Sequence, residues 1–173
     1  MNHVSWTSLN NRNKHIIIKQ IYYTHDSTSA ELLIKILLDD YKKDIYHVNN
    51  IFINLLCITL AKTHDIKYLS FIINAKDSSG DLFFHIDSNL LYEFSPKNVR
   101  NTCVTDILKF IANNDDYYLQ YLTEYELELY KNWIKKYSKQ YNEKLVITQW
   151  NKYSSDEFKG YINDIIDDYG LTC

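Results

Sequence analysis

The side chains best suited to acid–base or metal chemistry near neutral pH are the six histidines, because imidazole titrates closest to that range. His25-Asp26 stands just before an expected helix and reads as a polar turn. His85 alternates with the apolar Phe84 and Ile86, which places it on the outer face of an expected hairpin beside Asp87, open to a partner. Pairing with Asp87 or Glu93 would be its route to acid–base catalysis. Nothing nearby completes such a site. The chain contains no Gly-x-Ser-x-Gly elbow, no glycine-rich phosphate loop, no His-Glu-x-x-His and no Cys-x-x-Cys. Gly80, Gly160 and Gly170 are the three glycines, too scattered for a backbone cradle. Asp77, Asp81 and Asp87 have the content of a calcium loop without its spacing. Cys57, Cys103 and Cys173 are odd in number and widely spaced, which suggests neither a disulfide framework nor a paired-thiol zinc site. The expectation is a non-enzymatic protein without metal or cofactor.

His64-Asp65, with His47 upstream, resembles the His-Asp ligand pairs of the HD metal-dependent phosphohydrolases. Here both histidines fall on one expected helix, 17 residues apart. At 1.5 Å rise per residue that is about 25 Å, so they cannot share an ion unless the helix breaks. A histidine near a helix C-terminus, where the dipole favours a cation, is the simpler reading of His64.

Charge offers two further candidates. Lys131, Lys135 and Lys139 repeat every four residues and, with Trp133, Lys136, Tyr137, Tyr141 and Lys144, could form a basic aromatic row for nucleic acid. Two arginines and a net charge of −3 argue against it. The stronger signal is acidic. Asp39-Asp40, Asp115-Asp116 and Asp167-Asp168 are adjacent pairs, and the first and last fall at expected helix C-termini, where negative charge is unfavourable by up to about 1 kcal/mol. Asp39, Asp40, Asp164, Asp167 and Asp168 therefore suggest a surface for a basic partner, with Trp150 and His85 as outward-facing anchors.

The elements that would position these residues read as follows. Residues 15–23 (HIIIKQIYY) are rich in β-branched and aromatic residues and predict a strand. A helix follows, with Ser27 or Thr28 as its cap and Leu32, Leu33, Ile36 and Leu37 at helical spacing. A second helix over 44–64 carries Val48, Ile51, Phe52, Leu55, Leu56 and Leu60, so it is expected to be central and buried. Alternation of Leu69, Phe71, Ile73 and Ala75, the turn KDSSGD, and Leu82, Phe84 and Ile86 predict a β-hairpin over about 68–87. Further strands are expected at 90–94 and 144–150. Helices are expected at 101–114 and 116–141, and after the capping-box spacing of Ser154 and Glu157. The whole 1–173 chain then reads as a single α+β domain, its helices packed on a small, mostly antiparallel sheet.

Composition agrees with one globular domain: 173 residues, 46% hydrophobic, 24% charged. The richness in Ile, Asn, Lys and Tyr beside 3 Gly and 1 Pro is the footprint of an AT-rich gene. No run of about 18 uncharged apolar residues is present, and the first residues lack the apolar core of a secretory signal, so a cytoplasmic location is expected. In size, acidity and absence of catalytic motifs the chain resembles the immunity proteins of bacterial contact-dependent and polymorphic toxin systems. That profile implies stoichiometric inhibition of a basic toxin domain, such as a nuclease, by occlusion of its active site. The alternatives are a virus- or pathogen-encoded protein that binds a host factor, and an enzyme with an unrecognised site.

Overall fold

The computed structural model describes residues 6–43, 50–86, 88–95 and 104–140. It is 82% helical, and no strand or sheet occurs among the described residues, so the expected α+β architecture is replaced by an all-α one. The elements are α1 (Asn11–Thr24), α2 (Ser27–Lys43), α3 (Asn50–Ala61), α4 (Leu69–Asp77), α5 (Gly80–His85), α6 (Val104–Ala112), the single turn α7 (Asp115–Tyr118) and α8 (Glu124–Gln140). Three 3-10 segments, Trp6–Ser8, Ile66–Tyr68 and Ser88–Phe94, connect or precede them.

The expected first strand is most of α1. Asn10 caps this helix by accepting the Asn13 amide at 2.8 Å. His15, Ile18, Ile21 and Tyr22 are buried, a spacing of three and four that forms one helical stripe. Tertiary burial of that stripe overrides the β propensity of the isoleucines. The helix ends at His25, whose φ of 54° is left-handed and whose amide bonds back to Ile21 and Tyr22 carbonyls. Asp26, rather than Ser27 or Thr28, caps α2: its carboxylate accepts the Ser29 amide at 3.0 Å and the Ser29 hydroxyl at 2.6 Å. Those bonds from Ser29 hold the Asp26 carboxyl below its ordinary range. Ala30, Leu33, Ile34 and Leu37 are then buried, whereas Leu32 is 62% exposed.

Helix α3 is the central helix that its composition predicts, with every residue from Phe52 to Ala61 except Asn54 buried. It packs against α1, α2, α5 and the Ser88–Phe94 segment. The buried hydrophobic side chains of the described residues form one cluster.

The expected hairpin over 68–87 is instead the helix pair α4 and α5. Leu69, Ile72, Ile73 and Lys76 are all buried, and their spacing fits a helix as well as Leu69, Phe71, Ile73 and Ala75 fit a strand. Ser79 decides the local outcome by accepting the Leu82 amide at 3.1 Å, so the KDSSGD stretch starts a new helix rather than turning a ribbon. The strand expected at 90–94 is 3-10 helix, with Leu90, Leu91, Tyr92 and Phe94 buried. The long helix expected at 116–141 is broken after α7, and Thr123 starts α8. The strand expected at 144–150 and the helix after Ser154 lie outside the described residues.

Candidate protein-binding surface

The residues joining α6 to α8 fold through a succession of caps. Asn114 donates its side-chain amide to the Phe110 carbonyl at 2.7 Å, and α7 begins at Asp115. Tyr118 turns inward, fully buried, with its ring 5.6 Å from that of Tyr130. Burial and the neighbouring Tyr130 push the Tyr118 phenol well above its usual range. Leu122 also points inward, so Tyr117, Leu119 and Tyr121 are left outside. The rings of Tyr117 and Tyr121 meet edge to face at 5.9 Å.

Thr123 and Glu126 then form a reciprocal capping box. The Thr123 hydroxyl accepts the Glu126 amide at 3.2 Å, and the Glu126 carboxylate accepts the Thr123 amide at 2.7 Å and its hydroxyl at 2.9 Å. The same carboxylate accepts Ser70 Oγ at 2.6 Å and Asn74 Nδ2 at 2.7 Å from α4. Burial works against ionisation of Glu126, but the bonds from Ser70, Thr123 and Asn74 outweigh it and hold the carboxyl below its ordinary range. One residue earlier, Tyr125 is 63% exposed and donates its hydroxyl to Asp77 at 3.0 Å. The Asp77 carboxylate pushes that phenol upward.

These constraints fix Tyr117, Leu119, Tyr121 and Tyr125 on the outside of a stretch with five carboxylates and no lysine or arginine between Phe110 and Tyr130. Glu126 is consumed by the cap and Asp115 is paired with Lys131 at 2.7 Å. Asp116, Glu124 and Glu128 are exposed. Tyrosine faces and carboxylates together receive lysine and arginine side chains, by cation–π contact and by charge-assisted hydrogen bonds. Tyrosine also supplies contact area with little rotamer entropy to lose.

The residues singled out from the sequence are distributed differently. Asp39 is exposed on α2, with Asp40 next to it on the same helix; the residues that follow Lys43 lie outside the described ones. Asp164, Asp167, Asp168 and Trp150 lie outside the described residues. His85 is exposed, but it is the last residue of α5 rather than the outer face of a hairpin. Its Nδ1 lies 2.8 Å from the Asp81 carbonyl of its own helix. Glu93, one of its suggested catalytic partners, is buried and paired with His64. Asp65 neighbours His64 without acting as a shared ligand: it caps the Ile66–Tyr68 segment and pairs with Lys67 at 3.0 Å. No group of three or more His, Cys, Asp or Glu suited to a metal occurs among the described residues.

Three members of the basic row have other contacts or are buried, and Tyr141 and Lys144 lie outside the described residues. Lys131 is held by Asp115, Trp133 is buried, and Lys136 lies over the Phe83 ring at 5.4 Å. The acidic tyrosine surface is hidden in the sequence because one long helix over 116–141 would carry Asp116, Glu124, Glu126 and Glu128 in the half where the helix dipole favours negative charge. The signal that finds it is the stretch DDYYLQYLTEYELE itself, tyrosines interleaved with acids and free of cations. Among the described residues no helix is long and apolar enough to cross a membrane. No protein-family model, curated protein or solved structure matches this chain.

Proposed function

We propose that the chain is a non-enzymatic binding protein that captures a basic protein partner through the exposed tyrosines and carboxylates of residues 115–128. The observation that supports this reading is the group Tyr117, Leu119, Tyr121 and Tyr125, exposed beside Asp116, Glu124 and Glu128 with no cation in the intervening sequence. Aromatic anchors of this kind carry most of the energy at protein interfaces, while the surrounding charge accelerates encounter with an oppositely charged partner. Stoichiometric inhibition is the mechanism the surface suits: carboxylates stand in for the phosphates that a basic nuclease domain would bind. An immunity protein that neutralises a cognate toxin is the specific form of this proposal. The cytoplasm is its proposed place of action, in keeping with a buried free thiol at Cys57. The test is co-purification from the native cells by wild type and by a Tyr117→Ala/Tyr121→Ala variant. A chain retained by wild type and lost from the variant supports the reading; equal retention by both removes the surface from it.

A further inference from the structure

Ser70, Asn74 and Asp77 recur at spacings of four and three along α4 and so share one face of that helix. All three reach α8: Ser70 and Asn74 donate to Glu126, and Asp77 accepts the Tyr125 hydroxyl at 3.0 Å. The Tyr125 ring is thus held at its hydroxyl as well as at its own helix, although 63% of the residue is exposed. An exposed tyrosine ordinarily keeps its rotamer freedom until a partner orders it; this one is ordered beforehand. Glu128, three residues further along α8 and on the same face as Tyr125, is exposed. Two carboxylates therefore accompany the ring, Asp77 at its hydroxyl and Glu128 on the adjacent turn. Other surface carboxylates are matched by lysines of this chain: Glu31 by Lys35, Asp65 by Lys67, Asp106 by Lys109 and Asp115 by Lys131. Among the described residues no lysine or arginine pairs with Asp77 or Glu128.

We propose that Tyr125, Asp77 and Glu128 together receive one arginine side chain of the partner. This rests on the reading of residues 115–128 as a protein-binding surface, and it extends that surface from α8 onto α4. A guanidinium is planar, so it lies on a ring face while its edge donates to a carboxylate; an ammonium is a point charge without that fork. A ring already held in place favours the group whose geometry is the more demanding, because the ordering has been done before binding. Asp77 is then both a contact and the positioning residue for Tyr125.

Fluorescence anisotropy with labelled nona-arginine and nona-lysine peptides at physiological salt tests this, since the ratio of the two affinities separates recognition of arginine from attraction to negative charge. The wild type is expected to prefer nona-arginine by about fivefold. Tyr125→Ala and Asp77→Ala, each checked for native circular dichroism, are expected to bring the ratio close to one. Asp77→Asn, which retains an oxygen for the Tyr125 hydroxyl, should keep part of the preference. Asp106→Ala removes one carboxylate from α6 and should weaken both peptides without changing their ratio. Equal affinities in the wild type overturn the proposal, as does a preference that survives Tyr125→Ala or Asp77→Ala, or one that Asp106→Ala abolishes. Co-purification separates this failure from failure of the wider reading. A partner chain lost by the Tyr117→Ala/Tyr121→Ala variant but retained in full by Tyr125→Ala and Asp77→Ala leaves the surface standing and removes the arginine contact.

Discussion

Ser70 on α4 donates its hydroxyl to the Glu126 carboxylate on α8 at 2.6 Å, and this bond ties the first turn of α8 to the helix beneath it. Asn74, one turn further along α4, donates to the same oxygen. The capping box of α8 is thus also the clasp between two helices, and the exposed tyrosines before and after Thr123 depend on it for their positions.

Replacing Glu126 by Ala is expected to lower stability by about 2–3 kcal/mol, because Ser70, Asn74 and the Thr123 amide lose a charged acceptor together. Gln at this position should lose less. The Glu126 carboxyl titrates below its ordinary value of 4.5, so the stability it contributes is complete above the unfolded value and disappears as pH falls through the folded one. Urea midpoints measured from neutral pH down through that window should fall more steeply for wild type than for Glu126→Gln. Parallel curves would show that Glu126 does not couple folding to acid.

Lys76 is expected to be a structural cation. Just 2% of it is exposed, and its ammonium donates to the carbonyls of Phe83 and Ile86 at 2.5 and 2.6 Å, where α5 ends. It lies 4.5 Å from the Phe83 ring centroid and 5.7 Å from that of Trp133. Lys76→Met retains the aliphatic volume but removes the donors, and should cost about 2–3 kcal/mol in urea unfolding. A change within experimental error would mean that those carbonyls are satisfied without it.

Cys57 is fully buried on α3, and burial pushes its thiol up to about 12. The thiolate is the reactive form, so at neutral pH alkylating reagents should leave Cys57 unmodified in the folded protein and label it when urea unfolds the chain. Mass spectrometry of the peptide carrying Cys57 reads this directly. Rapid labelling under native conditions would contradict its burial.

The sequence is legible where one element suffices to explain a run of residues. The apolar stretch over 51–60 covers the whole circumference of a helix, and α3 is accordingly the buried centre. It is ambiguous where composition and periodicity compete. The isoleucines of α1 favour a strand by type, but His15, Ile18 and Tyr22 form a helical stripe, and packing on α3 selects the latter. In α4 the apolar positions satisfy periods of both 2 and 3.6, and the buried Lys76 completes the helical set from a residue type that reads as solvent-facing. Thr123 and Glu126 are a recognisable capping box; reading through them as one helix hid the corner that exposes Tyr117 and Tyr121. Leu32 is the reverse case: it shares the helical spacing of Leu33, Ile36 and Leu37, yet it faces outward.

Tyr117 and Tyr121 are exposed, so truncating both to Ala should change stability by no more than about 0.5 kcal/mol per site. The effect on partner capture should be far larger. Isothermal titration of the purified co-purifying chain against wild type and the Tyr117→Ala/Tyr121→Ala variant measures this most directly. The prediction is one-to-one binding that weakens at least tenfold in the variant and declines with added salt. Equal, salt-insensitive affinity for both proteins would contradict the acidic tyrosine surface as the place where this chain meets its partner.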